Sequence, residues 1–269
     1  IKCRERVGTP IIEKRLNRMK FGIGQSTARV EDRELLVGEG CFSDDVAPGQ
    51  GLRIAFLRAP HAHARIRVPD VSAARKLAGV RLIASQADLD ADNIGDIECQ
   101  FRLPLLDGGN MQLVSKSAMA RDIIRHAGDI VAMVVAETEE IAVSAVELIE
   151  VEYQSMPAVT DIYAAMADDA PQLYDCYPNN IAFKWGTGDL EGTDKAMKAA
   201  IADGHKIVEV DVVNNRVVIN SMETRPMVVA PGERPNSLDI WCGTQGVVGI
   251  AEQIAKCLSM DLADVRVQT

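Results

Sequence analysis

A glutamine close to two glycines stands where an apolar strand pattern gives way to a helical one. The stretch reads LDIWCGTQGVVG, with Gln245 after Thr244 and between Gly243 and Gly246. A carboxamide offers one donor and one acceptor without a charge, so it can hold an oxygen ligand. Glycines let other groups approach the backbone, and the free N–H groups of a helix start favour anions. In the other interpretation, which the pattern alone favours, the Gln245 side chain simply caps the helix.

Two histidines form a second candidate, in the stretch PHAHA. His61 and His63 are two residues apart and would share one face of a strand. A His-x-His pair can bind a metal, but no third ligand stands near it in the sequence. Hydrogen bonding within a sheet is therefore the favoured interpretation, and we expect no metal ligand in this chain.

Other patterns carry less chemistry. Glu223, in INSMETRPMVVAP, fits a structural role in which it caps local amides or pairs with Arg225. The stretch FGIGQ at 21–25 resembles a phosphate-binding loop only faintly, since no strand pattern precedes it and no clear helix follows. No G-x-S-x-G, P-loop or H-E-x-x-H motif occurs.

Strand and helix patterns alternate over the first 165 residues. The patterns predict a mixed α/β fold, because strand–helix–strand units repeat. A short helix is predicted at Val71–Leu77, with Asp70 as its N-cap and Gly79 just past its end. Residues 86–127 show little periodicity. The other predicted elements are two strands in LRIAFLRAPHAHARIRV (52–68), strands in VRLIAS, GDIVAMVVA and IEVEYQ, and a helix that Thr138 caps.

The C-terminal part repeats the alternation. A helix is predicted from Thr193 or Asp194 to Ala202, and another at 247–258 with apolar residues at helical spacing. HKIVEVDVVNNRVVI predicts a long strand, and LDIWC and DVRVQT predict two shorter ones.

Composition indicates a soluble globular protein with room for two domains. The chain has 269 residues, of which 47% are apolar and 25% charged. Its longest apolar run, at 130–136, is far shorter than the roughly 20 residues of a membrane-spanning helix. No secretory signal pattern is present. Because the chain starts at Ile1, we expect its N-terminus to have been processed or trimmed.

The charge and the cysteine positions argue against a nucleic-acid-binding protein and against a zinc or iron–sulfur protein. The net charge is −10, although residues 1–20 carry seven Lys/Arg and only two Asp/Glu. An acidic body with 4% aromatic residues argues against a nucleic-acid-binding protein, and we favour contact between the basic arm and an acidic surface. The six cysteines contain no C-x-x-C pair, so we expect no zinc or iron–sulfur site in this chain. Their scattered positions indicate free thiols, which are typical of proteins in the reducing cytoplasm, and we therefore expect a cytoplasmic location.

Five stretches, in this order, resemble the N-terminal part of one known type of subunit. It is the molybdopterin-binding large subunit of the molybdenum hydroxylases, the family of xanthine dehydrogenase, aldehyde oxidase and carbon monoxide dehydrogenase. The resemblance covers nearly everything from residue 21 to residue 269. The stretches are GIGQSTARVEDRELLVGEGCFSDDV, LRAPHAHARIRVPDVSAA, AGDIVAMVVAETEEIAVSAVELIEVEYQSMPAV, NNRVVINSMETRPMVVA and LDIWCGTQGVVG.

The resemblance implies the fold class α+β, with helices and strands mixed along the chain (mixed α/β). The implied parts are a basic N-terminal arm at 1–20, an α/β hammerhead domain at 21–166, a connecting segment at 167–189 and an incomplete first molybdopterin-binding domain at 190–269. In the family, the glutamine after Thr in this strand-end motif hydrogen-bonds an oxo ligand of molybdenum. The resemblance thereby gives Gln245 a catalytic role, and places Gly243, Thr244, Gln245 and Gly246 against the cofactor.

The implied activity is that of a larger assembly. Family members hydroxylate or oxidise a small organic substrate (an aldehyde, an N-heterocycle or carbon monoxide) with water-derived oxygen. Their cofactor is molybdenum–molybdopterin, here expected as a dinucleotide, and electrons pass through 2Fe-2S clusters to FAD on partner domains or subunits. The expected partners are the remaining part of the large subunit and the FAD-binding and iron–sulfur subunits, with neither nucleic acid nor a membrane.

Two features of the family pattern do not occur in this sequence: the glycine-rich loop that follows VRVQT in the family, and the glutamate that acts as general base. Glu223 belongs to an earlier stretch and does not take that role. We therefore expect one wall of a catalytic site and an isolated chain without activity. The alternative is a non-catalytic, hammerhead-like module for assembly or cofactor handling.

Overall fold

The computed structural model describes most of the chain from Arg29 onwards. Its described ranges are 29–46, 51–67, 69–106, 108–109, 111–215, 217, 221 and 224–269. Three features of the sequence, the basic arm at 1–20, the glycine-rich stretch at 21–25 and Glu223, lie outside these ranges. The chain divides into two compact units. The first unit comprises residues 53–224, and the second comprises residues 225–269 with the segment that precedes Arg53.

Strands and helices alternate through the described residues. The strands are β1 (Arg53–Arg58), β2 (Ala64–Ile66), β3 (Val80–Ser85), β4 (Ile123–Ile124), β5 (Ile130–Ala136), β6 (Tyr153–Ser155), β7 (Met227–Pro231), β8 (Leu238–Cys242) and β9 (Val265–Gln268). The helices are α1 (Asp32–Leu36), α2 (Gln86–Ala91), α3 (Glu139–Glu147), α4 (Ile162–Ala165), α5 (Leu190–Ala202) and α6 (Val247–Cys257). This order confirms the predicted mixed α/β fold class.

The first unit contains two antiparallel three-stranded sheets, with the orders β1-β5-β3 and β4-β2-β6. In the first sheet β5 is the central strand, and its apolar residues Ala132 and Val134 are fully buried. Helix α3 covers that face and contributes Ala145 to the same cluster. It begins where Thr138 Oγ1 accepts a hydrogen bond from Ile141 N (3.3 Å), as the sequence predicts.

The second unit holds a mixed sheet with the order β7-β8-β9. β7 and β8 are antiparallel, whereas β8 and β9 are parallel. Parallel neighbours need a crossover connection, and α6 provides it. The helix buries Ala251 and Ala255 against Ile240, Cys242 and Val265 of the sheet.

Several predicted elements are confirmed with shifted bounds, and others differ. The predicted helix Val71–Leu77 is only a 3₁₀ turn at Ala74–Lys76, and the predicted N-cap Asp70 does not cap it. Asp70 Oδ1 instead accepts a hydrogen bond from Ser72 N (2.8 Å), ahead of the turn. Helix α5 begins three residues before Thr193, because Asp189 Oδ1 accepts a hydrogen bond from Gly192 N (2.8 Å). Strand β7 and helix α2 lie in stretches for which the sequence pattern predicts no helix or strand.

The long strand predicted in HKIVEVDVVNNRVVI is wrong for its described residues 205–215. These residues belong to no strand, and all of them are exposed. The alternating pattern correctly reflects strand-forming side chains, but a strand also needs a neighbour that accepts and donates backbone hydrogen bonds. Within the described ranges no such neighbour lies beside the segment.

A polar network holds part of the irregular segment 86–127. Gln86 is 2% exposed, and its Oε1 accepts a hydrogen bond from the buried Met119 N at 2.8 Å. Its Nε2 donates to Asp90, which in turn pairs with Arg121 (2.9 Å). Arg121 also pairs with Asp96 at 2.7 Å. The network joins helix α2, which contains Gln86 and Asp90, to residues about thirty positions further along the chain that belong to no helix or strand.

Replacing Gln86 by Met tests the buried end of this network. Gln86→Met keeps the side-chain length but leaves the Met119 N–H unpaired, so we expect the free energy of unfolding to fall by about 1–3 kcal/mol. Chemical denaturation of the full chain measures this. The matched control is Gln112→Met, at an exposed position, with an expected change within about 0.5 kcal/mol. Equal losses in both variants would contradict the assigned role of Gln86.

The ion pair between Asp90 and Arg121, at the exposed end of the network, predicts that the stability of the fold depends on pH. Hydrogen bonds from Arg121, and then from Gln86, hold the pKa of Asp90 below its ordinary value of 3.8. A lowered folded-state pKa means that the ionised carboxylate stabilises the fold, so this contribution is present above about pH 4 and is lost as the pH falls through the folded-state pKa. We therefore expect Arg121→Met to weaken the acid-induced loss of stability.

Unfolding curves of the wild type and of Arg121→Met, recorded between about pH 6 and pH 2, measure how much stability each protein loses in acid. Some acid dependence remains in Arg121→Met, because hydrogen bonds from Ser85 lower the pKa of Asp88 independently. The control is Arg102→Met, since Arg102 forms no ion pair with the described residues. An Arg102 variant that loses as much of the acid dependence as the Arg121 variant would refute this account.

Candidate functional site

The loop of residues 243–246, here called the Gln245 loop, joins the end of β8 to the start of α6. Because β8 and β9 are parallel, their carboxyl ends lie at the same edge of the sheet. Trp241 is paired with Gln268 at this edge. Thr269, the residue after β9, therefore reaches the loop. Its Oγ1 accepts a hydrogen bond from Thr244 N at 3.4 Å.

A short local contact shapes the start of α6. Gly246 is the N-cap residue, and its N–H donates to Thr244 Oγ1 at 3.2 Å. The N-cap residue has no side chain, and Gln245 forms no hydrogen bond with the N–H groups at the start of α6, so the interpretation of Gln245 as a helix cap is wrong. The exposed Gln245 amide forms no hydrogen bond with the described residues. Its donor and acceptor are therefore available to a bound group.

The surroundings of the loop favour an anionic or oxygen-rich ligand. The first N–H groups of α6 have no partner within the helix, and its first turn contains no acidic residue. A Cβ atom added at Gly246 would meet no atom of the described residues within 4 Å, so these residues leave the space beside the backbone open. A neutral amide, free N–H groups and an open approach together fit the oxygen-rich, anionic part of a pterin cofactor.

The two histidines of PHAHA lie elsewhere, in the first unit. His63 is 4% exposed, and its Nδ1 lies 2.7 Å from Pro157 O, so the ring N–H donates to this carbonyl. His61 Nδ1 lies 3.3 Å from Ser155 Oγ. Both contacts agree with the hydrogen-bonded interpretation. No group of three or more His, Cys, Asp or Glu that could hold a metal occurs among the described residues.

A cleft of about 300 Å³ in the first unit was missed from the sequence. The guanidinium of Arg125 lies 4.3 Å from the centre of the Tyr174 ring, and its Nε donates to Leu173 O. The lining carries both signs of charge, including Lys116 and Asp129. The mixture selects neither anions nor cations, and no sequence signal joins residues this far apart.

Two family models match most of the chain. Residues 37–157 match the aldehyde oxidase and xanthine dehydrogenase a/b hammerhead domain. Residues 173–269 match the molybdopterin cofactor-binding domain, which contains the Gln245 loop. The chain belongs to the molybdenum hydroxylase family.

Individual family members agree with this assignment. The carbon monoxide dehydrogenase large chain of Afipia carboxidovorans is 32% identical over 233 residues, which are 82% of this chain and 27% of that one. The nicotine 6-hydroxylase large subunit of Paenarthrobacter nicotinovorans is 29% identical over 240 residues, which are 89% and 28% of the two chains. The chain thus spans less than a third of the length of these molybdenum hydroxylase subunits.

A solved structure confirms the expected hammerhead and cofactor-domain architecture. Quinoline 2-oxidoreductase from Pseudomonas putida superposes with a TM-score of 0.73 at 30% identity, over 93% of this chain and 30% of that one. A carbon monoxide dehydrogenase structure gives a TM-score of 0.70 at 28% identity. In the described residues of this molybdenum hydroxylase chain, no helix has the length and apolar character needed to cross a membrane.

Serine substitutions at two glycines test the open geometry of the loop. Gly246 has an extended φ of −160°, which any residue adopts, and no atom in the described part of the chain lies within 4 Å of a Cβ placed there. We expect Gly246→Ser to change the free energy of unfolding by no more than about 0.5 kcal/mol, since serine is a good N-cap. Chemical denaturation of the full chain, followed by tryptophan fluorescence, provides the measurement.

Gly79→Ser is the contrasting variant. Gly79 has a φ of +90°, and a Cβ atom there would lie 2.7 Å from Ile141 Cδ1. Backbone strain at this φ should lower the stability by about 1–3 kcal/mol, since only glycine adopts it without cost, whereas the tip of the Ile141 side chain can move aside. If Gly246→Ser were as destabilising as Gly79→Ser, the loop would not have the open surroundings described.

Proposed function

We propose that the chain forms one wall of the molybdenum-cofactor site of a molybdenum hydroxylase large subunit. The observation that carries the proposal is the Gln245 amide. It has no partner in the described part of the chain, and it lies beside an uncapped helix start within the matched cofactor-binding domain. Because no described residue uses the amide, a ligand could bind both of its polar atoms.

Each residue of the Gln245 loop has a distinct part in this proposal. Gly243 is exposed, a Cβ atom placed at Gly246 would meet no described atom within 4 Å, and Thr244 binds the Gly246 N–H through its hydroxyl. Gln245 orients the cofactor through its amide, and the free N–H groups of α6 bind an anionic portion. When bound, the molybdenum–pterin group supplies the redox centre at which water-derived oxygen is transferred to the substrate.

The proposed activity is the oxidation or hydroxylation of a small substrate. The named relatives act on carbon monoxide and on nicotine, which differ widely in size. We therefore propose an aldehyde, an N-heterocycle or carbon monoxide as the substrate class.

The proposed assembly contains the rest of the large subunit and the partners that accept electrons. A chain of less than a third of its relatives' length would function with the remaining part of the large subunit. FAD-binding and 2Fe-2S partners would accept the electrons, and a pterin dinucleotide is the proposed form of the cofactor. A cytoplasmic location and the boundaries 21–166 and 190–269 for the two domains stay predictions.

Replacing Gln245 in the complete complex tests this role. We expect Gln245→Ala to lower turnover by about 10- to 100-fold, because one oriented hydrogen-bonding group is lost from the cofactor. The complex should retain its subunits. Molybdenum content by mass spectrometry, together with the reduction of a dye acceptor in the presence of an aldehyde, an N-heterocycle or carbon monoxide, gives the two readouts.

Gln154→Ala, at an exposed position of β6, is the matched control and should leave turnover unchanged. Turnover that stays at the wild-type level in Gln245→Ala would overturn the proposed role of that residue. A wild-type complex that assembles without molybdenum or turnover would instead favour the assembly or cofactor-handling module.

A further inference from the structure

The cleft of the first unit contains one cation that is held in place and still has free donors. Arg125 is partly buried, its Nε donates to Leu173 O at 2.9 Å, and its guanidinium lies 4.3 Å from the centre of the Tyr174 ring. These contacts use one N–H and one face of the group. Among the described residues, its two terminal nitrogens have no hydrogen-bond partner. A guanidinium fixed in this way offers a pair of donors that matches the two oxygens of a carboxylate.

Other charges that line the cleft are already paired. Arg121 forms ion pairs with two aspartates that do not belong to the lining. The carboxylate of Asp129 accepts a hydrogen bond from the backbone N–H of Arg125 (3.3 Å) and lies 3.5 Å from His126 Nε2. These groups are therefore less available to a ligand than the terminal nitrogens of Arg125.

The charges that remain unpaired have an excess of one positive charge. Three charged side chains of the lining form no ion pair with the described residues: Arg125, Lys116 and Asp122. The lining as a whole carries both signs and selects neither, but its unpaired part matches a ligand with a single negative charge. A phosphate dianion would place a second negative charge in a cleft that already contains Asp122 and Asp129. A monocarboxylate avoids this repulsion.

Apolar side chains complete the lining. They are Val114, Met119, Ala120 and Ile123, of which Met119 and Ala120 are buried. A volume of about 300 Å³ lies at the lower end of the range for small-molecule sites. The matching ligand has a compact apolar body as well as its carboxylate.

We propose that this cleft binds a small monocarboxylate with a compact apolar body. The carboxylate accepts hydrogen bonds from the terminal nitrogens of Arg125, and Lys116 adds a second positive charge to the lining. All lining residues belong to the first unit, so the inference does not depend on the proposed function. An acidic side chain of the remaining polypeptide has the same chemistry, and the experiment distinguishes the two sources.

Benzoate and benzamide form a matched pair of probes. Benzoate combines one carboxylate with a flat apolar ring, and benzamide has nearly the same shape without the charge. Saturation-transfer NMR measures weak binding of both to the 269-residue chain and to the complete large subunit. In each sample we expect benzoate to bind with a dissociation constant of about 1 mM or below. Benzamide should bind about tenfold more weakly, because charged hydrogen bonds are lost.

Substitutions locate the binding site. Arg125→Met should weaken benzoate binding about tenfold or more, because both donors are lost. This variant also loses the contact with Leu173, so Lys116→Met is the second variant. Its exposed side chain has no ion pair to lose, and its removal should weaken binding about two- to fivefold. Arg102→Met, at an exposed arginine outside the lining, is the control and should leave binding unchanged.

Four outcomes would overturn the inference. They are equal binding of benzoate and benzamide, binding that neither Arg125→Met nor Lys116→Met weakens, and competition by inorganic phosphate as strong as that of benzoate. The fourth is benzoate binding by the 269-residue chain but not by the complete subunit. That result would identify an acidic side chain of the remaining polypeptide as the occupant.

Discussion

The parallel pairing of β8 and β9 is the constraint on which the candidate site depends. Four residue pairs, from Leu238↔Val265 to Trp241↔Gln268, fix the register of the two strands. Their connection must cross one face of the sheet, and α6 does so with the small residues Ala251 and Ala255 facing the strands. The helix start is thereby held at the carboxyl edge, where Gln245 emerges beside Thr269. A slip of one residue would exchange the buried and exposed faces of β9.

The first unit is held together by apolar packing around β5 and by polar contacts in the stretch between β3 and β4. Its central strand β5 has neighbours on both sides, and α3 covers one face, so apolar periodicity accounts for this part. The stretch between β3 and β4 has little periodicity and is held by polar contacts instead. Gln86 and Arg121 join positions far apart in sequence through hydrogen bonds and ion pairs. Such contacts leave no repeating pattern in the sequence.

Sequence patterns predicted those elements that carry their own packing signal. The helix capped by Thr138, the strand LDIWC and the helix after Gln245 all combine an apolar face with a recognisable start. The pattern also located the Gln245 loop, but it favoured helix capping, whereas Thr244 supplies the hydroxyl that binds the Gly246 N–H. Residues 205–215 show the limit most clearly, since alternation reports the side chains and not whether a neighbouring strand exists. The free amide of Gln245 is a structural observation, but the identity of the proposed ligand came from family resemblance, because an amide binds any oxygen-rich group.

The exposed run at 206–213 has a consequence for handling this chain by itself. A proline-free alternation of valines, of high strand propensity and with no strand neighbour among the described residues, is the kind of stretch from which cross-β aggregates grow. Self-association of the isolated chain would therefore increase with its concentration.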